Sequence, residues 1–364
     1  VADRGARIVL LPGDGIGPEV VACGRTVLEV VAERCRRSLA LTEMPIGGGA
    51  IDALSSPLPE ATLNACREAD AVLLGAVGGP KWDDPSAAVR PEQGLLGLRQ
   101  GLGLFANLRP VHAYPALATR TALKTERLTG VDLVIVRELT GGAYFGAKSL
   151  RQVDGEELAS DAWEYRTHEI ERIVRLAGSL ARSRDGRITC VDKANVLETS
   201  RLWRRVAGRI LAAEFPDLNV DYVLVDACAM LLIQDPRRFD VIVTENLFGD
   251  ILSDEAAVLA GSIGLLPSAS LRAELGDTRA FGLYEPIHGS APDLVGSGLA
   301  NPIGMILSVA MLLEHSLGLG DAAQSVRQAV ASTIEAGMLT PDCGGHHQTM
   351  DVVGQVVERI GRGD

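Results

Sequence analysis

At 364 residues the chain can bury a large core and form one big α/β unit or two domains. Its 47% apolar and 23% charged residues are ordinary for a globular protein, and a net charge of -12 argues against a nucleic-acid or anionic-membrane surface. The apolar run at 302–313 is too short to span a bilayer, no signal-peptide pattern opens the chain, and the six cysteines lack a CxxC pair. The expectation is a cytoplasmic protein with reduced thiols and neither membrane nor nucleic-acid partners.

Short β-branched runs alternate with helical patterns, which predicts α/β architecture. Arg7–Leu11 reads as a buried strand that enters the turn Pro12-Gly-Asp-Gly-Ile-Gly17. Pro18 suits the first turn of a helix, and Val20, Val21, Val27, Leu28 and Val31 recur behind it at helical spacing. The turn's glycines follow G-x-G-x-G and not G-x-G-x-x-G, so a standard Rossmann fold is not inferred. Further strands are predicted at Ala71–Leu74, Asp132–Val136, Ile188–Val191, Tyr222–Val225 and Asp240–Thr244. Helices are predicted near 163–182, 194–214, 251–260, 302–317 and 321–336. No linker composition marks a domain boundary.

The segment from Glu92 to Arg99 puts Leu95 and Leu96 one turn before an arginine. Arg99, Arg109 and Arg137 would suit a di- or tricarboxylate if they converged, because a guanidinium binds a carboxylate through two parallel bonds. Taken singly, each reads as a surface residue. From Gly141 to Trp163, Gly-rich strand-like residues precede a polar run, consistent with an excursion used in oligomerisation or with a plain surface hairpin. Tyr144 lies in its Gly-flanked opening as a possible proton donor. Lys193 stands at a strand end, where burial or neighbours can lower an ammonium pKa enough for proton transfer.

Asp226, read as ending the strand Tyr222–Val225, belongs to the same class of strand-end groups. The densest signal follows at Asn246-Leu-Phe-Gly-Asp-Ile-Leu-Ser-Asp-Glu255. Asp250 and Asp254 are four apart and share a helix face, where two like charges repel unless something positive lies between them. One reading is a helix cap at Asp250 with a solvated Asp254; the other is a Mg²⁺ or Mn²⁺ site with Asp226 as a third carboxylate. The loop Glu285-Pro-Ile-His-Gly-Ser-Ala-Pro-Asp293, continuing through Leu294 to Asn301, carries small residues (Gly289, Ser290, Ala291) that allow close backbone approach to a ligand. His346-His347 has no partner at ligand spacing and reads as surface.

Together these segments, from Leu10-Leu-Pro-Gly-Asp-Gly-Ile-Gly-Pro-Glu19 to Asn301-Pro302, resemble the isocitrate/isopropylmalate family of β-decarboxylating dehydrogenases. The resemblance implies a two-domain α/β fold with a continuous mixed sheet: residues 1–104 and 262–364 in the first domain, 105–261 in the second, and a dimer-forming arm near 141–163. It also implies a homodimer whose active sites are shared between subunits. Arg99, Arg109 and Arg137 would bind substrate carboxylates, Lys193 and Tyr144 would handle protons, and Asp250 and Asp254 would hold Mg²⁺ or Mn²⁺ with Asp226 of the other subunit, which also assists the proton step.

On the same resemblance, Glu285, His288, Gly289, Ser290, Ala291, Asp293, Leu294 and Asn301 would bind the adenosine half of NAD, with Asp293 repelling a 2′-phosphate. Leu95, Leu96 and Val196 from across the interface would enclose an isopropyl group. The expected reaction is oxidative decarboxylation of 3-isopropylmalate to 2-oxoisocaproate in leucine biosynthesis. Alternatives are oxidation of tartrate or D-malate, and a catalytically silent regulatory subunit. One departure stands out: the family's His-x-Tyr-Val-Asp reads Tyr222-Val-Leu-Val-Asp226 here.

Overall fold

The computed structural model describes residues 5–84, 87–272 and 279–362. Its strands, in chain order, are β1 (Ala6–Gly13), β2 (Leu39–Glu43), β3 (Ala71–Ala76), β4 (Ala106–His112), β5 (Asp132–Glu138) and β6 (Lys148–Val153). They continue with β7 (Glu156–Asp161), β8 (Arg187–Asp192), β9 (Asn219–Leu224), β10 (Val241–Thr244), β11 (Pro267–Arg272) and β12 (Phe281–Pro286). The described residues fall into two compact units, one within Val1–Leu104, Ala113–Lys124 and Ala260–Asp364, the other comprising Phe105–His112 and Thr125–Leu259.

In the first unit the strand order is β2-β1-β3-β12-β11. Neighbours are parallel except β11, which runs antiparallel to β12. Every residue of β3 is buried, so the strand reads as a continuous apolar run and not as an alternating one. Helix Ile303–His315 covers β11 and β12 and packs on helix Gly17–Arg34; it is buried from Ile303 through Leu313. A helix walled in on all sides needs no polar face, which is why its sequence is apolar all round. A second cluster around Val9, Leu11, Val72 and Leu74 receives Leu98 from helix Pro91–Gly101, and Leu95 of that helix packs against it.

In the second unit the order is β4-β5-β10-β8-β9, parallel except for β4 against β5. Helix Thr167–Arg182 lays Ile170, Ile173, Val174 and Ala177 over this sheet. Thr244 of β10 is level with Arg137 of β5 and Val191 of β8. Three carboxyl ends therefore finish together and send Arg137, Asn246 and Lys193 out at one sheet edge. Strands β6 and β7 form a separate hairpin, exposed at every position, turning through Asp154 and Gly155 at φ of 53° and 86°. Two central residues at positive φ match the twist of a tight hairpin.

At Asp226, Asp250 and Glu285 local structure departs from the sequence expectation. β9 stops at Leu224, so Asp226 does not end a strand; it lies in the first turn of helix Val225–Gln234, where the helix dipole favours a carboxylate. The helix expected from 251 starts at Asn246, which puts Asp250 inside it and excludes a capping role. Glu285, expected in a loop, lies in β12 opposite Ser268. All six cysteines are free thiols, and among the described residues no helix is long and apolar enough to cross a membrane.

Candidate active site

Asn246, Asp250 and Asp254 recur every fourth residue along helix Asn246–Ala260 and so share one face. Asp250 is the hub of the second unit's polar cluster. Its Oδ1 accepts from Arg137 Nη1 and, at 3.3 Å, from Arg109 Nη2, while its Oδ2 accepts from the Tyr144 hydroxyl at 2.7 Å. Arg109 Nη1 also donates to Asp254 Oδ1 at 3.0 Å and to Ser253 Oγ at 2.6 Å. The positive charge that the i, i+4 carboxylate pair requires is thus supplied by Arg109.

Geometry on the sheet explains the convergence. Asn107 of β4 is directly opposite Arg137 of β5, and Arg109, two residues on, projects to the same side. Arg109 Nε donates to Asn107 Oδ1 at 2.9 Å, which turns the guanidinium toward the helix. The Arg137 side chain is 3% exposed, against 62% for Asp254. Arg137 also lies over the Tyr144 ring, 5.5 Å from its centroid. Burial, then the adjacent Asp250 carboxylate, push the Tyr144 hydroxyl up to about 12. The phenol therefore keeps its proton throughout the neutral range and is a donor there.

Lys193 leaves the end of β8 and its Nζ donates to Asp226 Oδ1 at 2.6 Å. That hydrogen bond holds the exposed Asp226 carboxyl below its ordinary value. Lys193 itself is steadied through its backbone N–H, which donates to Ser200 Oγ at 3.0 Å. Val196, nearby in sequence, is 61% exposed. Among the described residues no three His, Cys, Asp or Glu side chains gather to hold a metal ion within one chain. Asp250 and Asp254 nevertheless present hard oxygen donors one turn apart, the donor type Mg²⁺ and Mn²⁺ take.

The remaining expected residues lie in the first unit. Arg99 Nη2 pairs with Glu285 Oε1 at 2.8 Å, linking helix Pro91–Gly101 to β12. Leu95 and Leu96 are half-buried on that helix. Beyond β12, His288 has a buried Nε2 with no hydrogen-bond partner among the described residues, and burial lowers its pKa. Gly289 has open space where a side chain would project, Ser290 is buried, and Ala291 sits in the left-handed region at φ 39°. Asp293 and Leu294 are exposed. An orphaned imidazole nitrogen beside open backbone is a fit for a nucleotide's polar edge. Asn301, in contrast, is buried and already engaged: Nδ2 donates to Asp342 Oδ2 at 2.9 Å and Oδ1 accepts from Ile303 N at 3.0 Å.

Sequence reasoning missed three groups that organise these clusters. Asn246 and Ser253 contact the arginines, and the four-residue repeat extended back one turn reaches Asn246. Asp14, in the glycine-rich turn, is buried and accepts from Gly48 N, Gly49 N and Gly78 N at 2.7, 2.8 and 2.8 Å. The same turn reaches the His288–Leu294 segment, where Ile16 N donates to Ser290 O at 2.8 Å. A side chain at Gly15 would strike that Ser290 oxygen at 2.0 Å. The turn that fails as a dinucleotide fingerprint therefore holds the neighbouring loop in place.

The profile of the isocitrate/isopropylmalate dehydrogenase family matches residues 7–357. The chain belongs to that family. Isocitrate/isopropylmalate dehydrogenase family members similar to it include the 3-isopropylmalate dehydrogenase of Anaeromyxobacter dehalogenans, 55% identical over 98% of this chain and 99% of the relative. The 3-isopropylmalate dehydrogenase of Bacillus subtilis is 54% identical over 92% and 91%. Among solved structures, isocitrate dehydrogenase from Methylococcus capsulatus superposes with a TM-score of 0.85 at 37% identity, covering 98% of this chain and 99% of that one. The mixed α/β sheet architecture is thus the family's, and the chain is a member of a dehydrogenase family.

Proposed function

We propose that this chain catalyses the NAD-dependent oxidative decarboxylation of 3-isopropylmalate to 2-oxoisocaproate in leucine biosynthesis, acting with Mg²⁺ or Mn²⁺ as a cytoplasmic homodimer. The observation that carries the reading is the cluster on Asp250, where two guanidiniums and a protonated phenol meet carboxylates. Identity above 50% with relatives named for 3-isopropylmalate supports the choice of substrate.

Each residue's task follows from its chemistry. Arg109, Arg137 and Arg99 bind the substrate's carboxylates, for which a forked, permanently charged donor is suited. Asp250 and Asp254, with Asp226 of the second copy, hold the divalent ion, which when bound supplies a Lewis acid for oxidation and decarboxylation alike. Lys193 of the second copy, hydrogen-bonded to its own Asp226, would accept the proton of the substrate hydroxyl once its own proton has passed to that carboxylate. NAD, when bound, would supply the hydride acceptor. Tyr144 returns a proton to the carbon that loses CO₂, a role suited to a hydroxyl that stays protonated at neutral pH. Leu95 and Leu96, with Val196 of the second copy, enclose the isopropyl group. Residues 285–301 bind the adenosine half of NAD, and Asp293 disfavours a 2′-phosphate.

A substrate panel with NAD and NADP, with and without EDTA, tests this. NADH formation should be fastest with 3-isopropylmalate and should stop on chelation, returning with Mg²⁺ or Mn²⁺. Much faster turnover of isocitrate, tartrate or D-malate would overturn the substrate, and chelator-insensitive turnover would overturn the metal.

A further inference from the structure

We infer that Asn246 is a positioning residue, one side chain that sets both the Arg137 guanidinium and the loop carrying Tyr144 relative to Asp250. Asn246 is 1% exposed, at the start of the helix that follows β10. Its Oδ1 accepts from Arg137 Nε at 3.0 Å and Nη2 at 2.8 Å. Its Nδ2 donates to the carbonyl of Gly141 at 3.1 Å. The amide can face only one way, because a guanidinium offers donors alone and a carbonyl is an acceptor alone.

The two partners are the ones that matter at Asp250. With Nε and Nη2 held on Asn246, the remaining guanidinium nitrogen, Nη1, is the one that reaches Asp250 Oδ1. Gly141 opens the turn Gly141-Gly-Ala-Tyr144, whose phenol reaches Asp250 Oδ2. Asn246 lies one helical turn before Asp250 on the same face, so amide and carboxylate move as one rigid piece. The amide is itself fixed from behind: its backbone N–H donates to the Tyr165 hydroxyl at 3.0 Å, and that hydroxyl donates to the buried Glu245 at 3.1 Å. Gly142 N is tied to Glu164 O at 2.9 Å, so the same turn is pinned on its other side as well. An alanine here would retain the helix and lose both settings at once.

This inference rests on the reading that Arg137 binds substrate and Tyr144 transfers a proton, and two substitutions separate its halves. Asn246→Asp keeps an acceptor for Arg137 and puts an oxygen against the Gly141 carbonyl. Its KM for 3-isopropylmalate should stay within about threefold, its kcat should fall at least about tenfold, and amide hydrogen exchange over 141–146 should quicken by a similar factor. Asn246→Leu removes both partners, so KM should rise about tenfold in addition. Exchange over 141–146 that is unchanged in both variants, or a KM that Asn246→Leu leaves alone, overturns the inference.

A wild-type protein inactive on 3-isopropylmalate defeats the substrate reading instead, and the exchange measurement, which needs no substrate, still decides the role of the amide. Thermal melts separate misfolding from mispositioning. Where a variant fails to melt cooperatively, Asn246→Gln retains both groups one methylene away; there the combined loss supports the inference and wild-type behaviour overturns it.

Discussion

Asp250 accepts from two guanidiniums and a phenol at once, and this makes its charge structural as well as chemical. Asp250→Asn keeps an oxygen for the guanidiniums and can set its N–H₂ against the Tyr144 oxygen, but it leaves the almost fully buried Arg137 without its counter-ion. Breaking one side of such a pair is costly, and partial exposure of Asp250 moderates the loss to about 2 kcal/mol. Urea denaturation checks this, and a variant as stable as wild type would mean that the arginines are solvated. Turnover should be lost in the same variant. Tyr165 gives a pH-dependent counterpart. Burial, then Glu245, raise its hydroxyl above the ordinary value of 10.0. A pKa raised in the folded state stabilises the fold fully below the unfolded value and loses that contribution as pH climbs above about 10. The melting-temperature gap between wild type and Tyr165→Phe should therefore be widest below pH 10 and narrow above it. A gap constant across that range would refute the assignment. At this scale the sequence was legible where spacing carried the signal, as with Asp250 and Asp254. Tyr165 and Ser253 were not legible, since their partners, Glu245 and Asn246 for the one and Arg109 for the other, lie far along the chain where no local pattern connects them.

Elements show why some single residues are constrained. Helix Asn246–Ala260 passes so close to β5 that a side chain at Gly249 would come within 2.7 Å of Arg137 Cβ and Cγ. Alanine favours a helix over glycine by about 1 kcal/mol, yet overpacking costs about 1–3 kcal/mol. Gly249→Ala should be destabilising on balance and should weaken substrate binding through Arg137; a stabilised variant with unchanged affinity would contradict the contact. Helix Pro91–Gly101 separates two neighbours that look alike in sequence. Leu95 packs against the core cluster of the first unit, and Leu96 is not part of that packing. Leu95→Ser should cost about 2 kcal/mol of stability as well as selectivity for the isopropyl substrate, while Leu96→Ser should cost selectivity alone. Equal losses of stability in the two would defeat the distinction. The core strands were legible because burial on both faces makes their runs continuous. β4, β11 and β12 were not: Asn107 and Arg109 interrupt β4 with polar residues that serve the site, and Ser268 and Ser270 interrupt β11.

At the scale of the molecule, the chain passes between the two units four times, after Leu104, His112, Lys124 and Leu259, each time within an ordinary segment. No linker composition accompanies these crossings, so composition could not divide the chain. The second unit leaves Met230, Ile251 and Val258 more than two-fifths exposed on helices Val225–Gln234 and Asn246–Ala260. Large apolar side chains left exposed on this unit favour pairing of two copies, and on the function proposed above Lys193 and Asp226 of one copy would complete the cluster of the other. Complementation tests this directly. Lys193→Ala and Asp250→Asn should each be inactive as purified homodimers. In a heterodimer of the two, one site carries both defects and the other carries neither. Random reassortment makes half the dimers mixed, and half the sites in those are intact, so activity should return to about a quarter of wild type. Native mass spectrometry verifies that mixed dimers have formed. If they form and remain inactive, each copy builds its site from its own residues, and the shared assembly is wrong.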